Sequence, residues 1–295
     1  MFLIMFTVFF VWRCMKEMKY IRALDAIAKE MNDDWLETLP KPDHLRDELV
    51  SEVLYAADRF SKRKLTDFKL AHRMENDHIA SWVHEIKSPL TAMKLTIDAN
   101  QSDPIMRKVE ADWLRIHLLV DRLLYITRLP TLESDYVLEE TVIQRLAAKE
   151  VRDLVSWCME KNIAVEFEGE DAEVITDIKW CRFIIRQLVT NAVKYSPEGG
   201  TIRISTEVNH AGNVILSVSD EGPGIQAHDL PRIFDKGFTG GNGRIYNAAT
   251  GLGLYLARNA ADKIGITLEA QSDQTKGTVV RMMFTTKNDF EATRK

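Results

Sequence analysis

The sequence of 295 residues contains little cysteine. Its three cysteines, Cys14, Cys158 and Cys181, are odd in number, lie far apart and form no C-x-x-C pair. A disulfide framework usually needs an even set, and a structural zinc site needs closely spaced ligand pairs. The pattern therefore argues against both kinds of site and is typical of a protein kept in a reducing compartment.

The sequence also lacks an excess of basic residues. It has 39 Lys and Arg against 44 Asp and Glu, a net charge of −5, and a pI near 5.9. Proteins that bind nucleic acid usually carry a basic surface, so no nucleic acid is expected as a direct partner. Hydrophobic content of 45% and charged content of 28% are typical of a globular protein long enough for more than one domain.

A full-length membrane-spanning run is missing as well. The first twelve residues, MFLIMFTVFFVW, are almost wholly apolar. As a helix they would extend ~18 Å, whereas a hydrocarbon core of ~30 Å needs about 20 residues. No basic residue precedes the run and no small-residue cleavage site follows it, so a signal peptide is not predicted.

Basic residues after the run indicate its orientation. Arg13, Lys16, Lys19 and Arg22 follow it, so the positive-inside rule places the chain after about residue 13 in the cytoplasm. We expect residues 1–12 to be the inner part of a cell-membrane helix, in a chain whose complete form has about 40 further N-terminal residues. An interfacial anchor and a buried helix of a soluble domain are the alternatives.

Residues 13–60 are predicted to form a helical juxtamembrane linker, broken by the two prolines of LPKPD at 39–43. Residues 61–130 are predicted to form a helical hairpin that turns at QSDPIM, 101–106. Each helix has one apolar stripe: Ile79, Val83, Ile86, Leu90, Met93 and Ile97 on the first, and Val109, Trp113, Ile116, Val120 and Leu123 on the second. A lone hairpin cannot enclose this seam, so we expect a homodimer that completes a four-helix bundle.

His84 lies on the first helix of this hairpin but outside its apolar stripe. It is about 100° around the helix axis from Val83, so its ring should project toward solvent. Glu85 stands beside it, and Pro89 removes a backbone donor one turn further on. An ordinary solvated histidine is the simplest interpretation of His84 alone.

After residue 130 the composition changes, and residues 131–286 are predicted to form an α+β two-layer sandwich followed by a tail, 287–295. The patterns predict helices near 141–160, 178–195 and 252–264. They predict strands in IAVEFEG, TIRISTEV, NVILSVSDEG, ITLEA and TVVRMMF.

Several side chains of this region suit nucleotide chemistry. Asn191 and Lys194 share a helix face, where an amide oxygen suits Mg²⁺ and a lysine suits phosphates. Asp220 ends a strand and could accept the exocyclic amine of adenine. Glycines permit close backbone approach after that strand and at a later helix start that could hold phosphate: Gly222, Gly224, Gly251 and Gly253. Singly, each could equally be a surface amide, a turn former or a turn glycine.

Together, in this order, the motifs resemble those of bacterial two-component sensor histidine kinases. The H-box is HEIKSPL, the N-box ends TNAVKYS, and G1, F and G2 boxes follow as DEGPGI, RIFDKGF and TGLGLYLA, with KGT near the last strands. The forms WVHEIKSPL and IFDKGFTGG are similar to those of intramembrane-sensing kinases of the bacitracin-sensor type. Those kinases accompany ABC transporters for antimicrobial peptides.

The resemblance implies a nucleotide-binding fold of the histidine kinase, gyrase and heat-shock class. It implies that His84 attacks the γ-phosphoryl group of Mg²⁺-ATP, that Glu85 orients the ring and takes its proton, and that the phosphoryl group passes to an aspartate of a response regulator. By the same resemblance Asn191 binds the metal, Asp220 binds adenine with support from Thr278, and the other nucleotide-binding residues are Lys194, Tyr195, Gly222, Gly224, Lys236, Arg244, Gly251, Leu252 and Gly253.

Alternatives to this kinase remain open at this stage. ATPases of the same fold carry a glutamate where this chain has Gln187, and an amide cannot act as the base for water attack. Ser88 replaces the Thr or Asn of the usual phosphatase signature, so phosphatase activity stays undecided. A non-catalytic dimeric scaffold that couples a transporter to a partner would need no ATP chemistry, and a soluble serine kinase of the anti-sigma type would lack the helix that carries His84.

Overall fold

The computed structural model describes residues 2–30, 34–132, 136–240 and 250–285. The chain divides into two compact units, residues 1–75 and 76–295. The first unit contains helix α1, Phe2–Lys29, and the beginning of helix α2, Leu45–Ala99. The expected break at 39–43 therefore lies between two helices, whereas the expected boundaries at residues 12 and 60 fall inside them.

Within the first unit, α1 and α2 meet through a buried polar contact. The Tyr20 and Ser51 hydroxyl oxygens are 2.5 Å apart. Asp47, one turn before Ser51 on α2, is also buried. The side chains of Phe2–Phe6 and Val8–Trp12 are exposed. In the parts of the chain that the structure describes, no helix is both long enough and apolar enough to cross a membrane.

The second unit begins with the predicted helical hairpin, formed by the C-terminal half of α2 and by helix α3, Pro104–Arg128. Asp103 caps α3 by accepting a hydrogen bond from the Ile105 backbone N–H at 2.8 Å. Val83, Leu90, Val120 and Leu124 form the buried seam between the helices.

Part of each predicted apolar stripe stays uncovered in the single chain. Met93, Val109 and Ile116 are 54%, 41% and 49% exposed. Apolar side chains on a hairpin face are normally buried by a further layer, so these three agree with the expected pairing of two hairpins into a four-helix bundle.

The rest of the second unit is a two-layer sandwich. Its helices are α4, Ile143–Asp153; α5, Val155–Glu160; α6, Ile178–Tyr195; and α7, Gly253–Lys263. Its strands are β1, Glu139–Val142; β2, Ala164–Gly169; β3, Glu173–Thr176; β4, Thr201–Val208; β5, Val214–Asp220; β6, Ile266–Asp273; and β7, Gly277–Phe284. Short 3₁₀ turns occupy Leu129–Thr131 and Leu230–Arg232.

The main sheet has the strand order β2-β4-β5-β7-β6, and only β2 and β4 run parallel. Strands β1 and β3 form a separate antiparallel pair. Residues alternate between buried and exposed along β4, as expected when helices cover one face of a sheet. The core between the layers includes Ile184, Leu188, Ile202, Ile204, Leu216, Leu256, Leu268 and Met282.

Three differences from the sequence-based expectation concern local structure. Strands β1 and β3 were not predicted, because four residues are too few to show a reliable period of two. The expected helix over 141–160 is two helices separated at Leu154, and its first two residues, Thr141 and Val142, belong to strand β1.

Candidate functional site

A cavity of about 490 Å³ opens between α6, the ends of β5 and β7, the turn before α7, and one face of α3. Eight of the residues expected to bind nucleotide line it: Asn191, Lys194, Tyr195, Asp220, Gly224, Gly251, Gly253 and Thr278. The fold therefore brings together most of a set that is scattered over nearly ninety positions of the sequence.

Helix α6 supplies the amide and the lysine. The helix begins at an Asp177 cap, whose Oδ1 accepts from the Trp180 backbone N–H at 3.0 Å. Asn191 and Lys194 lie three residues apart near its C-terminal end, both half-buried. Burial lowers the pKa of Lys194, and the positive charge of Arg122 lowers it further. An anion in the cavity would relieve both effects.

Asp220 lies at the end of β5, opposite Thr278 of β7. Its side chain is 9% exposed, and its Oδ1 accepts from the Gly222 backbone N–H at 2.8 Å. Burial raises the pKa of Asp220 to about 6, although backbone hydrogen bonds from Gly222 and Thr278 act in the opposite direction. Thr278 Oγ1 lies 2.9 Å from the Ser272 hydroxyl oxygen. A buried carboxylate aimed into a cavity suits recognition of an amine hydrogen.

Gly251 is required by the backbone of the turn before α7. Its φ is +64°, and a Cβ there would lie 2.4 Å from the carbonyl carbon of Gly237. The Gly237 N–H donates to the Gly251 carbonyl at 3.1 Å, which ties this turn to the end of the F-box. The turn leaves the first N–H groups of α7 free to face an anion.

Gly253, the first residue of α7, leaves a small polar recess. A Cβ there would lie 3.1 Å from Gln187 Oε1 and 3.9 Å from Asn191 Oδ1. Gln187 is only 4% exposed, and its Oε1 has no hydrogen-bond partner among the residues described. A buried acceptor without a partner is costly, so this recess suits a group that can satisfy two amide oxygens.

Some predicted nucleotide-binding residues do not line the cavity. Gly222 and Leu252 are adjacent to lining residues, and Gly222 has no room for a side chain because a Cβ would lie 2.9 Å from the Tyr195 carbonyl oxygen. Lys236 is exposed and away from the cavity wall, so its contact with phosphate remains a prediction. Arg244 lies outside the residues that the structure describes.

His84, Glu85 and Ser88 are exposed on α2 and do not line the cavity. Val83, directly before His84, is completely buried in the hairpin seam. The position of His84 on the flank of the hairpin, predicted from the apolar stripe, is therefore confirmed. An exposed imidazole is accessible to a second protein or domain.

Helix α3 contributes a wall of the cavity that the sequence analysis missed. Arg115, Leu118, Leu119 and Arg122 all line it. Their spacing of three, four and seven residues puts them on one helix face, separate from the hairpin seam. Arg122 Nη1 donates to Thr250 Oγ1, in the G2 box, at 3.2 Å. This i, i+3, i+4, i+7 spacing is the sequence signal that could have identified the α3 wall. Because the face mixes arginine with leucine, it does not form an apolar stripe.

Charged and aromatic contacts hold α3 against the sandwich. Asp121 pairs with Arg186 of α6 at 2.9 Å and with Lys87 of α2 at 2.7 Å. One turn further on, the Tyr125 ring stacks on Phe183 with centroids 4.1 Å apart. Because both contacts flank Arg122 in sequence, the cavity-facing side of α3 is held in a defined orientation.

Comparisons with known proteins agree with this architecture. A family model described as histidine kinase-, DNA gyrase B-, and HSP90-like ATPase matches residues 176–288. Sensor protein BceS of Bacillus subtilis (strain 168) is 37% identical over 289 residues, covering 98% of this chain and 85% of BceS. Sensor protein kinase GraS of Staphylococcus aureus (strain bovine RF122 / ET3-1) is 36% identical over 288 residues, covering 96% of this chain and 81% of GraS.

A solved structure, full-length ShkA in complex with AMPPNP, matches with a TM-score of 0.51 and 19% identity over 70% of this chain and 45% of ShkA. At that identity it supports the fold alone. The expected fold class, a helical hairpin followed by an ATP-binding α+β sandwich, is confirmed. Similarity to BceS and GraS over almost the whole chain carries the family assignment: the chain belongs to the sensor histidine kinases, ATP-dependent protein-histidine kinases of two-component systems.

Proposed function

We propose that the chain transfers the γ-phosphoryl group of ATP to His84. The observation that carries this proposal is an exposed imidazole on the hairpin together with a separate cavity in the same unit. The cavity is lined by an amide, a lysine, a buried carboxylate and a glycine-lined helix start. Neutral imidazole is a nucleophile, and an exposed ring can be approached by a nucleotide bound elsewhere in the protein.

In the proposed reaction, a ring nitrogen of His84 forms a bond to the γ-phosphorus while the bond from that phosphorus to the β,γ-bridging oxygen breaks. ADP leaves with that oxygen, and the proton of the other ring nitrogen passes to the Glu85 carboxylate. Glu85 is the adjacent residue and is exposed beside His84. Its first role is therefore to orient the ring and its second is to accept the proton.

The cavity residues bind and position the nucleotide. Asp220 accepts the adenine amine, and Lys194 neutralises phosphate charge. Mg²⁺ is the metal that fits: the Asn191 amide oxygen and the unpaired Gln187 Oε1 face the recess at Gly253, and hard oxygen donors suit this ion. Bound there with the phosphates, Mg²⁺ would neutralise charge that develops during transfer.

The test uses γ-labelled ATP and the full chain in detergent micelles. Wild-type protein should acquire an acid-labile, alkali-stable label, and His84→Gln should acquire none. His78→Gln is the matched control, because His78 is exposed on the same helix six residues earlier. Label on the His84→Gln protein would refute the assignment of the phosphorylated residue. Unlabelled wild-type protein that still binds ATP would instead favour the non-catalytic scaffold.

Family membership implies a response regulator as the downstream partner and a homodimer as the working form. We further propose that the phosphoryl group serves a cell-envelope response to antimicrobial peptides, with input from a peptide-antibiotic ABC transporter in the membrane. The support is the motif resemblance and the extent of similarity to BceS and GraS. Co-purification of a peptide-antibiotic ABC transporter with this chain, compared with an ABC transporter of unrelated substrate, tests the partner.

We also propose that residues 1–12 lie in the cell membrane and that the chain after residue 13 is cytoplasmic. The exposed apolar side chains Phe2–Phe6 and Val8–Trp12 at the start of α1 support this location. A carbonate wash of membranes tests it. Protein retained with the membrane supports insertion, whereas release of the whole pool into the supernatant contradicts it.

A further inference from the structure

Arg122 is a charged cavity residue to which the proposed transfer to His84 assigns no role. It belongs to the hairpin helix α3 rather than to the sandwich, yet its side chain lines the same cavity as Asn191 and Lys194. The family motifs end with the H-box on α2 and resume with the N-box on α6, so none of them includes this residue.

Arg122 has no carboxylate partner among the residues that the structure describes. Within them its polar contact is the Thr250 hydroxyl at 3.2 Å. Its Nε is buried, with no acceptor in that described part of the chain, and burial lowers the pKa of the guanidinium. Arg115, on the same helix face, is paired with Glu160 at 2.7 Å and with Asp112 at 2.6 Å. A half-buried guanidinium without an anion is unfavourable, so the site is suited to an anionic ligand.

Distances place this guanidinium beside the predicted phosphate region. Arg122 Nη2 lies 3.8 Å from the position of a Cβ on Gly253, and Asn191 Oδ1 lies 3.9 Å from the same point. The charge of Arg122 is also felt by Lys194, whose pKa it lowers. Two cations that line one cavity favour a ligand with several negative charges, as a polyphosphate would supply.

We infer that Arg122 is a nucleotide-binding residue supplied by the dimerisation hairpin, and that its guanidinium binds the terminal phosphates of ATP. The inference rests on the proposed function for the identity of the nucleotide. It makes the triphosphate a bridge between α3 and the sandwich, because adenine is held by Asp220 on one side and the phosphate end by Arg122 on the other. A nucleotide without the terminal phosphates loses this second contact.

The arginine geometry favours this role over a general electrostatic one. A planar guanidinium can donate two parallel hydrogen bonds to phosphate oxygens, whereas a lysine donates from a single point. The flanking contacts of Asp121 and Tyr125 hold α3 in place, so the backbone that carries Arg122 is already ordered before the phosphate binds.

Calorimetry on the full chain in detergent micelles tests the inference with three probes: Mg²⁺ with AMPPNP, Mg²⁺ with ADP, and AMP. Arg122→Gln should weaken AMPPNP binding by about tenfold or more, the range of one hydrogen bond to a charged group, and leave AMP binding within about twofold. Arg122→Lys should recover part of the AMPPNP affinity. Arg107→Gln, an exposed arginine near the other end of α3, makes the same charge change outside the cavity and should alter neither.

The result that overturns the inference is an unchanged ratio of AMPPNP to AMP affinity in Arg122→Gln. If the substitution only damaged the fold, both probes would weaken together, and recovery of both by Arg122→Lys would also count against phosphate contact. The measurement is independent of phosphoryl transfer. An Arg122→Gln protein that loses AMPPNP selectivity therefore supports the inference even if His84 proves not to be the phosphorylated residue.

Discussion

Adenine recognition by Asp220 should depend on pH in a range where most carboxylates do not titrate. Burial raises the pKa of Asp220 from its ordinary 3.8 to about 6. At pH 7 about nine-tenths of the group is ionised and at pH 5 about one-tenth, so binding that needs the carboxylate should weaken by up to about tenfold, or about 1.4 kcal/mol, between these values.

Adenosine is the suitable probe because it has no phosphate, and phosphate groups ionise with a pKa near 6 themselves. Chemical-shift titration of the full chain should show adenosine affinity falling as the pH falls from 7 to 5. The same titration with purine riboside, which lacks the exocyclic amine, should be weak and flat. Asp220→Asn should bind adenosine weakly and without pH dependence. An unchanged adenosine affinity between pH 7 and pH 5 would refute the reasoning about Asp220.

The raised pKa has the opposite effect on folding of the unliganded chain. Between pH 3.8 and about 6 the folded chain keeps a proton on Asp220 that the unfolded chain releases. The stability due to this group is therefore fully present below pH 3.8 and is lost as the pH rises through 6. A rise of the pKa from 3.8 to about 6 corresponds to about 3 kcal/mol, so Asp220→Asn should be more stable than wild type at pH 7 by up to that amount.

Three other substitutions test the site and its supports. Gly251→Ala should lower the free energy of unfolding by more than about 2 kcal/mol, because it adds a backbone clash to the cost of a positive φ. Gly199→Ala, at a φ of +78° with open space around it, should lower it by only about 1 kcal/mol, and chemical denaturation compares the two. Asn191→Ala should make ATP affinity insensitive to EDTA, while wild-type affinity falls on chelation; equal EDTA sensitivity would remove Asn191 from the metal site. Arg186→Met removes the ion pairs to the buried Glu150 and to Asp121, together with a longer one to Asp153, and should cost about 3 kcal/mol in urea unfolding. The exposed Arg203→Met should cost less than about 1 kcal/mol, and similar costs for the two variants would show that burial does not strengthen these pairs.

The sequence predicted those parts of the fold whose signals are local. Helix α6 was predicted over 178–195 and is observed over the same residues, because Asp177 provides a cap and the apolar period is strong over the whole segment. The exposed position of His84 followed from a stripe of six apolar residues. Strands β1 and β3 were missed since each is only four residues long and is stabilised by its partner strand.

The cavity was predictable only on the side formed by the sandwich. Its α3 wall depends on contacts such as Asp121 with Arg186, which are 65 positions apart in the sequence. No local pattern specifies such a pair, and an arginine such as Arg122 reads as a solvated charge until its surroundings are known. The orientation of the Lys236 side chain could not be predicted either, because proximity in sequence to a glycine-rich stretch does not fix where a long side chain points.

The ion pairs of Asp121 with Lys87 and Arg186 have a mechanical consequence. One carboxylate joins Lys87, three positions after the histidine, to Arg186, five positions before the asparagine of the nucleotide recess. A shift of α2 along or around α3 that keeps the first pair also displaces the second, so Asp121 is one of the points that couple the hairpin to the catalytic sandwich. Thermodynamic reciprocity then applies: by whatever factor a movement of the hairpin changes affinity for the nucleotide, the nucleotide changes the equilibrium of that movement by the same factor.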